Sequence, residues 1–253
     1  MIEIKNISKK YGEQLVLDAV TTTIKKGSIT SFIGPNGAGK STLLSIITQL
    51  LKADNGEIII DGKNLKDFKA IEFAKKVSIL KQQNHLQVKL TVRDLIAFGR
   101  YPYSKGRLNK EDELLIQEAI NYMQLSHLED KFIDTLSGGE KQRAFIAMVI
   151  AQDTDYIFLD EPLNNLDMKH SVEIMTMLRK LCDEKNKTVI IVIHDINFAS
   201  CYSDYILALK KNKIYINDTT EKVIQENILE KVYDMPFNVS IIEGNRICVY
   251  FQP

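Results

Sequence analysis

Residues 34–42 read GPNGAGKST, between the apolar run SITSFI (28–33) and the segment STLLSIITQLL (41–51). No other stretch limits the fold as tightly. Its spacing is G-x-x-x-x-G-K-[ST], and the flanking patterns supply the strand–loop–helix order in which such a loop works. Gly34, Pro35, Asn36, Gly37, Ala38 and Gly39 form a backbone cradle whose N–H groups can surround phosphate oxygens at a helix N-terminus, where aligned peptide dipoles favour negative charge. Lys40 then reaches the β- and γ-phosphates of a nucleotide and Ser41, followed by Thr42, reaches a Mg2+ ion. A chance glycine turn would not carry the whole pattern in this context.

Two more apolar, β-branched runs end at polar residues: YIFL (156–159) before Asp160 and TVIIVI (188–193) before His194. Continuous runs of this kind suit strands covered on both faces, as in a parallel sheet. Ligands of such sheets bind at the carboxyl ends of the strands, so Gly34, Asp160 and His194 are expected to come together. Asp160 can hold Mg2+, directly or through water, and Glu161 can orient the attacking water. His194 carries an imidazole, which can donate to a γ-phosphate oxygen without adding a permanent charge. His85, His127 and His170 have no comparable setting and read as surface residues.

The first 25 residues and EIIID (57–61) read as shorter strands of an antiparallel flank. From about 84 to 155 the pattern turns helical: Asn109 caps a helix with an acidic first turn (Glu111, Asp112, Glu113) and the stripe Leu115, Ile116, Ala119, Ile120 and Met123. Beyond Asn217, TTEKVIQEN and ILEKVYDM read as two short helices before a tail. The expected organisation is a core domain over 1–220 with the helical insertion at 84–155, then a helical extension and tail over 221–253.

With 33 basic and 33 acidic residues the chain lacks the positive excess that coats nucleic acid, so no nucleic-acid partner is expected. AFIAMVIA (144–151), among the longest apolar runs, falls far short of the roughly 20 residues that cross a bilayer. The opening MIEIKNISKK has no apolar stretch behind a basic start, so no secretory signal is expected. Cys182, Cys201 and Cys248 are scattered without CxxC spacing, as fits reduced thiols.

A second glycine pair opens another helix in TLSGGEKQR (135–143). Ser137 and Glu140 form S-x-x-E, the pattern of a capping box. Yet a box does not call for Gly138 and Gly139, each worth about 1 kcal/mol less than alanine inside a helix. The better use for them is to bare N–H groups for a second anion site.

The order GPNGAGKS, a glutamine loop, LSGGE, YIFLDE, NNLD and His194 resembles the ATPase subunit of ABC transporters, from Tyr11 to about Asp218. The resemblance implies an α/β P-loop NTPase with a RecA-like core, an antiparallel β flank and a helical subdomain. It further implies two copies facing head to tail around two Mg·ATP, so that Ser137, Gly138, Gly139 and Glu140 of one copy cap the ATP held by the phosphate loop of the other. Tyr11 would stack on adenine. Gln82 would sense Mg2+ and the membrane partner, with Gln83 the weaker candidate because Lys81 stands where the family usually has proline. Asp167 would communicate across the dimer, while Arg143 reads as structural. Leu163-Asn164-Asn165 departs from the family's usual Thr-Ser-Ala. FGRYPY (98–103) and AMVIAQDTDYIFLDEP (147–162) resemble the branch that takes up ferric siderophores, haem or cobalamin. That branch implies an ATPase peripheral to the cytoplasmic face of the membrane, with an integral permease and, indirectly, a substrate-binding lipoprotein. A soluble ABC-type switch in cofactor assembly is the alternative left open here.

Overall fold

Alternation of Ile2, Ile4 and Ile7 with polar neighbours gives the amino-terminal strand one buried face, as in antiparallel sheets with one wet side. The computed structural model describes residues 1–81, 89–164 and 166–251. The chain forms two units, Met1–Phe68 with Thr188–Pro253, and Lys69–Lys187.

The first unit begins with β1 (Ile2–Tyr11), β2 (Gln14–Ile24), β3 (Ile29–Ile33), α1 (Lys40–Ile47), β4 (Asn55–Ile60) and β5 (Lys63–Asn64). Strands β2, β1, β4 and β5 form an antiparallel sheet in that order, with Leu17, Val20, Ile24, Ile58 and Ile60 extending the buried face.

The second unit contains α2 (Ala70–Lys76), β6 (Val77–Leu80), α3 (Val92–Phe98), α4 (Tyr101–Ser104), α5 (Lys110–Tyr122), α6 (Gly138–Ala151), β7 (Tyr156–Asp160) and α7 (Met168–Lys185). Strands β6 and β7 pair in parallel, and α3, α5 and α6 pack on one another. Asn109 caps α5 as expected, and Ile116, Ala119, Ile120 and Met123 of its stripe are buried. Asp112 has a second task. One of its oxygens completes the capping box with Asn109, and the other accepts from Arg100 Nε at 2.9 Å, with Arg100 3% and Asp112 1% exposed. Arg100 also lies 3.9 Å from the Tyr103 ring centroid and donates to the Ala151 carbonyl. Arg100 thus anchors the FGRYPY turn through a buried ion pair, while Phe98 and Tyr101 stand exposed.

The first unit resumes with β8 (Thr188–Val192), α8 (Ile196–Tyr202), β9 (Tyr205–Lys210), β10 (Lys213–Thr219), α9 (Thr220–Val223), α10 (Glu226–Tyr233), β11 (Asn238–Ile242) and β12 (Asn245–Val249). Strand β3 pairs in parallel with β8 on one side and β9 on the other; every residue of β3 and β8 is buried. The two short helices after Asn217 are present. The residues beyond them make more than a tail: β11 and β12 form a hairpin around Glu243-Gly244, both at positive φ (49° and 80°), as a tight type I′ connection needs. Among the described residues no helix is long and apolar enough to cross a membrane.

Candidate nucleotide site

In the first unit, β3 delivers the chain to Gly34, and the loop closes at Gly39 where α1 begins. Both glycines are dictated by space as well as angle. Gly34 has φ 133°, and a Cβ there would lie 2.1 Å from the Leu209 carbonyl oxygen; Gly39 has φ 102°, with Leu17 Cδ2 and Val16 O at 2.7 Å from the same hypothetical atom. Lys40, only 5% exposed, donates from Nζ to the carbonyls of Gly34 (2.8 Å) and Pro35 (3.0 Å), so the loop wraps its own lysine. No side chain caps α1. The N–H groups of a helix's first turn have no acceptor within the helix, and the N-cap residue here, Gly39, has no side chain to offer one. Ser41 and Thr42 are half-buried in that first turn.

His194 leaves the carboxyl end of β8, whose register with β3 sets Val192 opposite Phe32. Gly34 and His194 therefore emerge from the same edge of one strand pair, as expected. His194 is exposed and directly precedes Asp195, which caps α8 by accepting from the N–H groups of Asn197 and Phe198. Tyr11 ends β1 and is 51% exposed.

In the second unit, Asp160 is the last residue of β7, at its carboxyl end. Glu161 follows at φ 51°, a left-handed conformation that side chains other than glycine seldom adopt and that stores on the order of 1–3 kcal/mol. Side-chain contacts help to hold this turn. Asn164 Nδ2 donates to the Glu161 carboxylate, and Gln142 Nε2 on α6 donates to the Pro162 carbonyl at 2.8 Å. Asn164 thus turns the family departure at 163–165 into a contact on the glutamate itself.

Helix α6 starts at the second glycine pair with a complete capping box. Ser137 N–H and Oγ both approach Glu140 Oε2 at 2.8 Å, while the Glu140 N–H faces Ser137 Oγ at 3.4 Å. The backbone and hydroxyl of Ser137, in that order, hold the Glu140 carboxyl below its usual range. The capping box and the glycine pair are therefore both present. Gly139 has its own reason to lack a side chain: a Cβ would sit 3.0 Å from the His170 ring. His170 corrects the surface assignment. It is half-buried, its ring Nδ1 lies 2.9 Å from Asp167 Oδ1, and its N–H donates to the same carboxylate, so that Asp167 caps α7. Arg143 donates to the Glu173 carboxylate at 3.0 Å. Gln82, Gln83, His85 and Asn165 lie outside the described residues.

Among the described residues no group of three or more His, Cys, Asp or Glu side chains could hold a metal ion by itself. Mg2+ does not require one, since it is commonly bound by one or two protein oxygens together with nucleotide phosphates and water. Ser41 and Asp160 are hard oxygen donors of the kind that suits it.

Residues 17–164, more than half of the 253, match the family described as ABC transporter. The petrobactin import ATP-binding protein YclP of Bacillus subtilis is 59% identical over 252 residues, covering 100% of both chains. The ferric enterobactin transport ATP-binding protein FepC of Escherichia coli is 37% identical, covering 89% of this chain and 84% of its own. Among solved structures, a dimeric ATP-binding cassette in a post-hydrolysis state with ADP and Pi superposes with a TM-score of 0.76 at 32% identity, covering 87% of this chain and 99% of that one. The glycine loop closing on Lys40, the acidic end of β7 and the SGGE helix start are this fold's signature elements, and the chain belongs to the ABC transporter family as an ATP-binding protein and ATPase.

Proposed function

We propose that this ATPase drives uptake of an iron–siderophore or related chelate through a separate integral permease. A substrate-binding lipoprotein supplies the cargo, and the ATPase sits on the cytoplasmic face of the membrane. The observation that carries this reading is the full-length 59% identity to a petrobactin import protein. Two copies close around two Mg·ATP. ATP favours the closed state because each nucleotide then has more interactions, which is how a ligand shifts an equilibrium.

Within each site the α1 start and Lys40 bind the β- and γ-phosphates, and Tyr11 stacks on adenine. Ser41 and Asp160 would hold Mg2+, with Gln82 as its sensor, and the ion would supply neutralisation of phosphate charge. Glu161 orients and deprotonates the attacking water, and its strained turn and the Asn164 contact fix the carboxylate before substrate arrives. His194 donates to the γ-phosphate. The SGGE start of the other copy supplies the last N–H groups, with Asp167 relaying closure across the interface.

The test is uptake of radiolabelled iron by cells lacking the gene, supplied with petrobactin and with other ferric chelates, and complemented with wild type or Lys40→Ala. Loss of uptake for one chelate class, restored by wild type alone, is the expected result. Undiminished uptake of every chelate, with the protein co-purifying with a soluble partner, would replace transport by the cofactor-assembly reading.

A further inference from the structure

The segment after Asn217 plays no part in the chemistry above, yet its contacts within the first unit include the phosphate loop and the helix behind His194. The Gly34 N–H donates to the Tyr233 hydroxyl at 3.1 Å, across 199 positions of sequence. Tyr233 is the last residue of α10, and its ring packs against Phe237, which packs in turn against Tyr250. The end of α10 is tied to β9 by Lys210, which donates to the Lys231 carbonyl and pairs with Asp234 at 2.6 Å. Lys210 follows Leu209, the residue whose carbonyl walls in Gly34.

Farther along, the hairpin grips α8. Asn197 accepts from the Cys248 N–H at 2.7 Å and donates to the Cys248 carbonyl at 3.2 Å, while Ser200 Oγ donates to the Arg246 carbonyl at 2.6 Å. Asn197 lies in the first turn of α8, three residues past His194.

We propose that α10 and the β11–β12 hairpin form a positioning clamp that sets both loops leaving the β3–β8 edge, with Tyr233 as its contact on the phosphate loop and Asn197 as its contact behind His194. This rests on the reading of residues 34–42 as the phosphate site. The Gly34 peptide has little room, since the Leu209 carbonyl blocks one side, and the Tyr233 oxygen satisfies its N–H only in the observed orientation. Without that oxygen a buried donor is left unpaired, and loop geometries that turn the N–H elsewhere gain population. Nucleotide needs the observed geometry, so apparent affinity falls by the fraction of molecules that leave it. Burial pushes the Tyr233 hydroxyl up to about 12, so it stays protonated throughout the neutral range.

The experiment titrates the full chain with a fluorescent ATP analogue and follows thermal melting in parallel, for wild type, Tyr233→Phe, Asn197→Ala and Lys40→Ala. Tyr233→Phe retains the ring and its packing, and is expected to raise the Kd about tenfold. In steady-state hydrolysis the same variant raises KM for ATP by a similar factor while kcat changes little. Asn197→Ala, which loosens the His194 side only, is expected to lower kcat more than affinity. A lower melting temperature for Tyr233→Phe with wild-type Kd and KM would overturn the clamp and leave a plain structural brace. Wild-type affinity in Lys40→Ala would instead sink the phosphate-site reading beneath it.

Discussion

Two helices of this protein begin at glycine-rich turns, and they are built in opposite ways. Helix α1 starts at Gly39 with no side-chain cap and no acidic residue in its first turn. Helix α6 starts at Ser137 with a complete box whose glutamate occupies that turn. An uncapped start inside a loop closed by its own buried lysine is ready for the phosphates of a nucleotide. A capped start is already satisfied in part and carries a negative charge, so it is a poor site for a whole triphosphate and a better one for finishing a site built elsewhere. In the proposed mechanism the difference separates the loop that binds ATP in a single copy from the one that contacts ATP only on closure.

The largest effect that could break this contrast comes from Glu161→Gln. It should slow hydrolysis by about 10²–10⁴-fold, the range for losing a general base, while ATP binding survives. Closed dimers should then accumulate with ATP on size exclusion. Amides at the α6 start should gain hydrogen-exchange protection only in that state, whereas those of the glycine loop gain it on nucleotide binding alone. Protection of both at once in a monomer would erase the distinction.

Lys40→Ala should weaken ATP binding by roughly 10- to 150-fold, the worth of a hydrogen bond to a charged group, as read by equilibrium titration. Ser137→Ala should behave differently. It removes a cap worth about 1 kcal/mol of stability and should lower the melting temperature modestly, with single-copy ATP affinity unchanged and ATP-dependent dimerisation weakened. A loss of single-copy affinity in Ser137→Ala equal to that in Lys40→Ala would show the two starts doing one job.

How much of this was legible in the sequence depends on the range of each contact. The strand–loop–helix order around residues 34–42, the acidic end of β7 and the Asn109 cap are local patterns, fixed by spacing, and the structure has these elements where the spacing put them. Contacts that join distant positions were not legible. The acidic first turn of α5 was visible, but that Asp112 alone turns inward to Arg100 depends on how α4 and α5 fold back on each other. His170 looked like any surface histidine because nothing near it in sequence shows that its ring fills the space Gly139 leaves. The hairpin had a weak signal in Glu243-Gly244 between alternating residues, but glutamate is a poor occupant of the positive-φ position there and masked the turn. Asn164 was recognisable only as a departure, and its bond to Glu161 needed coordinates.

The smallest effect, and the most selective for the contrast, is a response to pH. The Glu140 carboxyl titrates below the ordinary 4.5 because Ser137 donates to its ionised form. A group whose folded pKa is depressed adds stability that is fully present above its unfolded value and is lost as pH falls through the folded one. The α6 start should therefore keep its box intact down to about pH 4.5 and open below it, as Glu140 protonates and Ser137 loses its acceptor. Helix α1 has no carboxylate in its first turn to protonate. Amide chemical shifts followed between about pH 6 and 3 should thus show a titration at Ser137 and Glu140, with its midpoint below 4.5, and none of that origin at Gly39 and Lys40. In Glu140→Gln the Ser137 titration should vanish while the α1 start is unmoved. A Ser137 shift persisting in that variant would mean that the box is not what closes this helix start, and the asymmetry between the two glycine turns would lose its cause.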